Sequence, residues 1–584
     1  MSFDLHTTVD YYDDLYLAGR LIEPHELETM FANFVSLGIK RVNWIVHTWW
    51  TVDLFPYADS PNLVSFIAKT ARAHGLEIYV CLKPYECSFS VPGRSYLPHT
   101  FPQTDGAQIT NDLRGLNPIC DPFMAANPHL RYKRAPGKWT VDQNIARIDL
   151  IKLGETPTRV RKEHLSIHVG ENNGQLEPFP GDFELVETTG WRDGFMQGHL
   201  SRILSLRGLR IPSRYRYLFV RCSLTDGEPD FGNTAFRLME IYDDQDNRLP
   251  SIPAEDRIDP EKVQWPWPES GTLPYGQMPE VKVFLADREK VEAACQDLYV
   301  YDRRTAEPNN EGPRYLDQRG FAGVACGKNE YLQGPMNLIH PEVQDYWLDI
   351  AKTCLEAGID GINVRFACHS AKSHERDEYG LGEDEVVKGA MMANGRIDRE
   401  KARQINGDAV THWLKRLRSL TQSYGASLAA HVNSSLMYPD ERMWRASHNT
   451  PPVPNTEFQW KRWIDEELVD EVALKVQAIS KARFEHYVDA VSNYATDAGV
   501  KVTYVGSSGI ASEFQSGHLM PSAQRRLRDV MADPRITAYD FYEVANYMRL
   551  NQQGVFEIAP AFFDLIREAE PRAATGKLET SAKE

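Results

Sequence analysis

Arg41-Val42-Asn43-Trp44-Ile45-Val46-His47, the helical run Leu63–His74 closed by Gly75, and Leu76-Glu77-Ile78-Tyr79-Val80-Cys81-Leu82 read as strand, helix and strand in succession. The two outer runs are rich in β-branched and aromatic residues, and the middle run repeats its apolar residues at helical spacing. This order predicts a βαβ unit with parallel strands. Upstream, Pro24–Leu37 has a helical apolar stripe that Gly38 stops.

Downstream the alternation breaks off and returns near residue 335. His340–Ala357 reads as an amphipathic helix ended by Gly358, followed by a strand Gly361-Ile362-Asn363-Val364-Arg365-Phe366. Helix Ala409–Tyr424 and strand Ser427–Val432 come next, then Trp460–Leu468 with Val472–Val476, then Ala482–Ala498 with Lys501–Val505. The last strand is Ala538–Tyr542, and a helix near Pro560–Glu568 carries proline in its first turn. These are seven strands, and an eighth is expected around Gly334–Ile339, before Pro341. Eight strands with intervening helices predict an α/β fold, a closed (β/α)8 TIM barrel. The alternative is an open doubly wound sheet.

The middle of the chain has a different grammar. Short strands at Ala146–Leu153, His164–Val169, Phe183–Glu187, Tyr217–Ser223 and Arg237–Tyr242 are separated by turn residues. That pattern predicts a β-sandwich inserted after barrel strand 2, overhanging the strand ends. The expected division is residues 1–140 for the first part of the barrel, 141–305 for the inserted domain, 306–572 for the rest of the barrel and 573–584 for a polar, disordered tail. Pro253–Pro279, with Trp265-Pro266-Trp267-Pro268, is expected to be irregular.

Composition narrows the function classes. At 584 residues the chain exceeds a single core. A formal charge of −17 disfavours nucleic acid and anionic membranes as partners. No apolar stretch is long enough to span a bilayer, and the N-terminus shows no secretory signal. The expectation is a cytoplasmic protein, although a trimmed secreted form would look the same. The eight cysteines form no CxxC pair and no zinc spacing, which fits buried free thiols in a reducing compartment. A homo-oligomer is left open.

The run Asn337-Leu338-Ile339-His340-Pro341-Glu342-Val343, a helix, and then Gly358-Ile359-Asp360-Gly361-Ile362 resembles the glycoside-hydrolase-like barrels labelled "family ten-like glycosyl hydrolase". Trp463–Val472 is similar to the Trp…Gly-Leu-Val-Asp segment of that family. The resemblance covers the barrel parts and not the inserted domain. It implies a glycosidase acting on an oligosaccharide or glycoside, without cofactor. It also implies an acid three residues after Asp-Gly-Ile, and this chain has Arg365 there. The carboxyls must therefore be sought at other strand ends.

Two strand ends carry one. Leu76–Leu82 runs into Lys83-Pro84-Tyr85-Glu86, and Ala538–Tyr542 runs into Glu543. A barrel gathers such ends around one opening, where a carboxyl pair cleaves glycosidic bonds as acid with nucleophile or base. Glu543 is the expected nucleophile or base and Glu86 the acid, rigidified by Pro84. The plain alternatives are a structural acid paired with Arg365 or Lys475 for Glu543, and a loop acid that caps a helix or meets a solvated lysine for Glu86. Strands 2 and 8 are expected to flank strand 1, at a spacing between roughly 5 and 9 Å that sequence does not choose.

Around this pair, Arg365 would hold Glu543 ionised or bind a substrate carboxylate, with structural pairing as the alternative. His431 and Asn433 alternate on one strand and face the same way, suited to sugar hydroxyls. His47, Trp49, Trp50, Tyr85 and Tyr547 complete the expected substrate-binding set, the aromatic rings stacking on pyranose faces or packing under the insert. Lys475 would be hydrogen-bonded or ion-paired, or a Schiff-base lysine. His47, His369 and His431 could gather for zinc, but His47-Thr48-Trp49 lacks the His-x-His pair of metal-dependent barrels, and no metal is expected. The rival readings are a non-catalytic carbohydrate-binding barrel and a metal-dependent hydrolase or lyase.

Overall fold

A computed structural model describes residues 3–11, 22–47, 52–54, 56–86, 123, 126–135, 140–152, 155–172, 175–191, 200–222, 236–250, 320–327, 330–366, 378–381, 392–393, 396–437, 453, 455–475, 481–506 and 521–569. Eight parallel strands close into a barrel, in sequence order around the ring: β1 Asp4–Val9, β2 Ile39–Val46, β3 Glu77–Leu82, β4 Gly361–Val364, β5 Ser427–Asn433, β6 Glu471–Lys475, β7 Lys501–Gly506 and β8 Ala538–Tyr542. β8 pairs with β1 and closes the ring. A helix follows each strand: α1 Pro24–Ser36, α2 Leu63–Ala73, α3 Pro341–Glu356, α4 Arg399–Ser423, α5 Trp460–Asp465, α6 Lys481–Asp497, α7 Pro521–Ala532 and α8 Pro560–Ala569. This is the (β/α)8 architecture of a TIM barrel.

Local chemistry sets the helix limits. Asn62 accepts the Ser65 amide at 2.7 Å to start α2, and Asp398 accepts the Lys401 amide at 3.1 Å to start α4. Pro341 opens α3. The chain leaves α2 and α3 through Gly75 and Gly358 at φ +69° and +88°, a region L-residues rarely enter. Asp360, just before β4, accepts the Ile78 amide of β3 at 2.9 Å.

The eighth strand is not where the sequence predicts it. Tyr331–Met336 pairs antiparallel with Arg131–Lys133, outside the barrel. The missing strand is Asp4-Leu5-His6-Thr7-Thr8-Val9, too polar to stand out as an apolar run. Its His6 and Thr8 are buried because the barrel interior is itself polar. One consequence is that Glu77–Leu82 is the third strand, so the insertion follows barrel strand 3 and not strand 2. A second is that β1 and β2 stand between β8 and β3, where a single intervening strand was expected.

The inserted segment contains two four-stranded antiparallel sheets. One has the order Gly320–Ala325, Tyr217–Cys222, Leu165–Asn172, Gln175–Pro178, and the other Phe236–Tyr242, Ile145–Lys152, Ser201–Ile211, Glu184–Gly190. Ile148, Leu150, Leu204 and Leu206 of the second sheet share one apolar cluster with Ile167, Val169, Leu218 and Val220 of the first. The five strands expected in this region all overlap observed ones, but Gly320–Ala325 lies beyond the expected limit at residue 305. Pro253–Pro279 and the tail 573–584 fall outside the described residues.

Inside the barrel, alternate residues of each strand face the axis and build polar levels. Nearest the strand starts, Arg41 donates to Glu471 at 2.6 Å and lies 3.9 Å over the Tyr79 ring, while Thr503 donates to Glu471 at 2.7 Å. Above it, Asp540 accepts from Thr8 at 2.8 Å and from Asn43 at 3.1 Å. The uppermost level, at the strand ends, carries the candidate site.

Candidate active site at the strand ends

Asp10 follows β1, His47 follows β2 and Lys83-Pro84-Tyr85-Glu86 follows β3. These join in one buried chain. His47 Nε2 lies 3.2 Å from Asp10 Oδ1, and Lys83 Nζ lies 3.5 Å from both Asp10 Oδ2 and Glu86 Oε1. The amide of Glu86 donates to the Lys83 carbonyl at 2.9 Å, so a tight turn returns the carboxyl onto its own strand's lysine. The side chains of Lys83 and Glu86 are fully buried. Of the two expected roles for Glu86, the lysine pairing is present in the geometry, and that lysine is buried where a solvated one was expected.

Arg365 follows β4 and is buried. Its Nη1 donates to the Tyr542 hydroxyl, and its guanidinium carbon lies 4.6 Å over the Tyr542 ring. Burial opposes its charge, but the Tyr542 oxygen, Glu86 and Glu543 together push its pKa above the ordinary arginine value. The same cation therefore feels both candidate carboxyls, one arriving from β3 and one from β8. Glu543 itself is half-buried, one residue past β8.

Lys475 ends β6, with Nζ 3.0 Å from the centroid of the Tyr542 ring. Burial, reinforced by Arg365 and Lys83, pushes its ammonium well below the ordinary lysine value against the pull of Glu543. His431 on β5 is kept neutral by burial first and then by Arg365, Lys475 and Lys83. Asn433, paired in register with Lys475, is fully buried. Arg365, His431, Asn433 and Lys475 are thus all buried at or just past the ends of β4, β5 and β6, with Asn433 beside Lys475 and His431 two residues earlier on the same strand.

The aromatic expectations fare differently. Tyr85 is buried in a cluster with Tyr132, Phe366 and Phe458, and Tyr547 is stacked on Phe562 at 3.9 Å and hydrogen-bonds Thr7. Expected as stacking platforms, both rings are packed into the body of the protein. Trp49, Trp50 and His369 lie outside the described residues. Among the described residues no group of three or more His, Cys, Asp or Glu is arranged to hold a metal ion, and no helix is long and apolar enough to cross a membrane.

Sequence reading missed Asp10, Lys83, Asp540 and Tyr542 as members of this network. Asp540 and Tyr542 were visible as alternate residues of a strand quoted for its last position alone. Burial raises the Asp540 carboxyl to about 6, against the lowering effect of Thr8, Lys475 and Asn43. The folded group binds its proton more tightly than the unfolded one, so its contribution to stability is full below the ordinary 3.8 and is lost as pH rises through about 6. Denaturant unfolding should therefore show Asp540→Asn gaining stability relative to the parent as pH rises across that window. A difference that is constant with pH would contradict this.

The described residues thus define a closed (β/α)8 barrel with carboxyls and cations at its strand-end opening. No family model matches the chain, and no curated protein matches it either. Solved structures similar to it include the catalytic domain of beta-amylase from Paenibacillus polymyxa, with TM-score 0.36 and 9% identity, covering 98% of this chain and 99% of that one. Another is pyruvate kinase from Pyrobaculum aerophilum, with TM-score 0.14 and 12% identity over 87% of this chain and 82% of that one. Likenesses this remote carry no argument about chemistry, which has to come from the site itself.

Proposed function

We propose that the protein is a glycoside hydrolase acting on an oligosaccharide or glycoside, with Glu543 as nucleophile or base and Glu86 as acid. The observation that carries this reading is that Glu86 and Glu543 follow the ends of β3 and β8 on the same side of the barrel and that the charges of both act on Arg365, which follows β4. For Glu86 to act as the acid, substrate binding must raise its pKa, by displacing Lys83 and excluding water. His431 and Asn433 supply neutral polar atoms for sugar hydroxyls, beside Arg365 and Lys475. The two antiparallel sheets between β3 and β4 form, in this reading, a β-sandwich that borders the opening.

The burial of Glu86 against Lys83 favours a second reading, a carbohydrate-binding barrel without chemistry. A panel of aryl glycosides, assayed for turnover and for binding in parallel, separates the two. The hydrolase reading expects release of the aryl alcohol from at least one sugar class. Measurable affinity with no release for any bound glycoside would overturn it in favour of the binder.

A further inference from the structure

Three basic side chains lie at the strand-end side of the barrel, and they are not equivalent. Lys83 has carboxyl contacts with Asp10 and Glu86, both at 3.5 Å. Arg365 has the Tyr542 hydroxyl. Lys475 is 6% exposed, and its Nζ has no hydrogen-bond partner among the described residues. It lies 3.0 Å from the centroid of the Tyr542 ring, whose face offers no proton acceptor of ordinary strength. Directly across on β5, Asn433 is fully buried with both its amide oxygen and its amide nitrogen unpartnered among the described residues. On the same face two residues earlier, His431 Nδ1 is unpartnered as well. Buried polar atoms are seldom left without a partner unless a ligand or water meets them.

Burial and two neighbouring cations favour the neutral amine at Lys475. A neutral amine at a strand end is a nucleophile towards carbonyl carbon. We propose that Lys475 is a carbonyl-condensing lysine, forming an imine with a small hydroxyaldehyde or with the open-chain form of an aldose held by Asn433 and His431. In the step, the Nζ lone pair attacks the carbonyl carbon, and the carbonyl oxygen takes up a proton. The resulting carbinolamine loses that oxygen as water, leaving a C=N bond. Glu543, whose charge acts on Lys475, would move the protons. The inference uses the opening described above but does not depend on glycoside cleavage, so the two readings fail separately.

The test uses the full chain, glyceraldehyde as probe and cyanoborohydride, which reduces an imine to a stable secondary amine. Peptide mass mapping then compares Lys475 with the exposed Lys352, whose side chain is 56% accessible. The proposal expects the Lys475 adduct to form at least about tenfold faster than the Lys352 adduct, with a rate that saturates as glyceraldehyde increases. Labelling of exposed lysines with Lys475 unmodified or lagging, or a Lys475 rate that stays linear in probe, would overturn it.

Discussion

Glu543→Gln is expected to lower kcat/KM on any glycoside the protein turns over by about a thousandfold or more, while leaving the protein folded. The substitution keeps the size and hydrogen-bonding capacity of the side chain and removes its ability to attack or to accept a proton. Glu543 is half-buried, one residue beyond a barrel strand, so its stability cost should stay within about 1 kcal/mol. The charge change also reaches two neighbours. Arg365 loses one of the carboxyls that favour its charge, and Lys475 loses a carboxyl that pulls its pKa upward. Substrate affinity should therefore move less than turnover, and the loss should appear in kcat. Undiminished turnover by a folded Glu543→Gln protein would reject the assignment. Glu86→Gln should also lose activity, but with a stability cost, because it leaves fully buried Lys83 with Asp10 as its remaining carboxyl contact among those described.

Glu471→Gln is expected to be the most damaging substitution for stability, at about 3–5 kcal/mol. Arg41 and Glu471 bridge the start of the barrel interior at 2.6 Å, with side chains 6% and 7% exposed. Glu471 and Tyr79 push the Arg41 pKa above its ordinary value against burial, so the guanidinium stays charged in either protein. Without the carboxylate that charge is left in the interior with the largely exposed Glu77 as its other acidic partner, at 2.9 Å. Replacing both members, Arg41→Met with Glu471→Leu, should recover much of the loss, because no charge then remains to be solvated. Urea unfolding of the single and double variants measures both effects. A single variant as stable as the parent would show that the pair contributes nothing. The pair lies at the end of the barrel remote from Glu543, so catalysis in the folded fraction should be unchanged.

Why seven barrel strands were legible in the sequence and one was not follows from their surroundings. Strands such as Ile78–Leu82 and Val472–Leu474 face helices on their outer side and read as apolar runs. β1 presents His6 and Thr8 to a polar barrel interior, and Thr7 donates to the Phe541 carbonyl, so half of its signal is polar. The apolar stretch near Gly334–Ile339 took its place in the count because it precedes a proline-started helix. That single exchange moved the insertion from strand 3 to strand 2 and placed Glu86 one strand too close to Glu543. At the site, residues that end strands were legible because strand ends define the opening. Partners were not, since the His47–Asp10–Lys83–Glu86 chain joins three separate strand ends. Tyr85 and Tyr547 show the converse, because an aromatic residue beside a strand end has the same sequence signature whether it meets a sugar or Phe562.

The central claim is that Glu86 and Glu543 act on one glycosidic bond. A crystal structure of the Glu543→Gln protein with an uncleaved glycoside tests it most directly. The account predicts the glycosidic oxygen within hydrogen-bond reach of the Glu86 carboxyl, and position 543 facing the anomeric carbon, with the two carboxyl positions roughly 5 to 9.5 Å apart. A sugar bound elsewhere, or one that leaves Glu86 paired with Lys83 and beyond reach of the glycosidic oxygen, would contradict it.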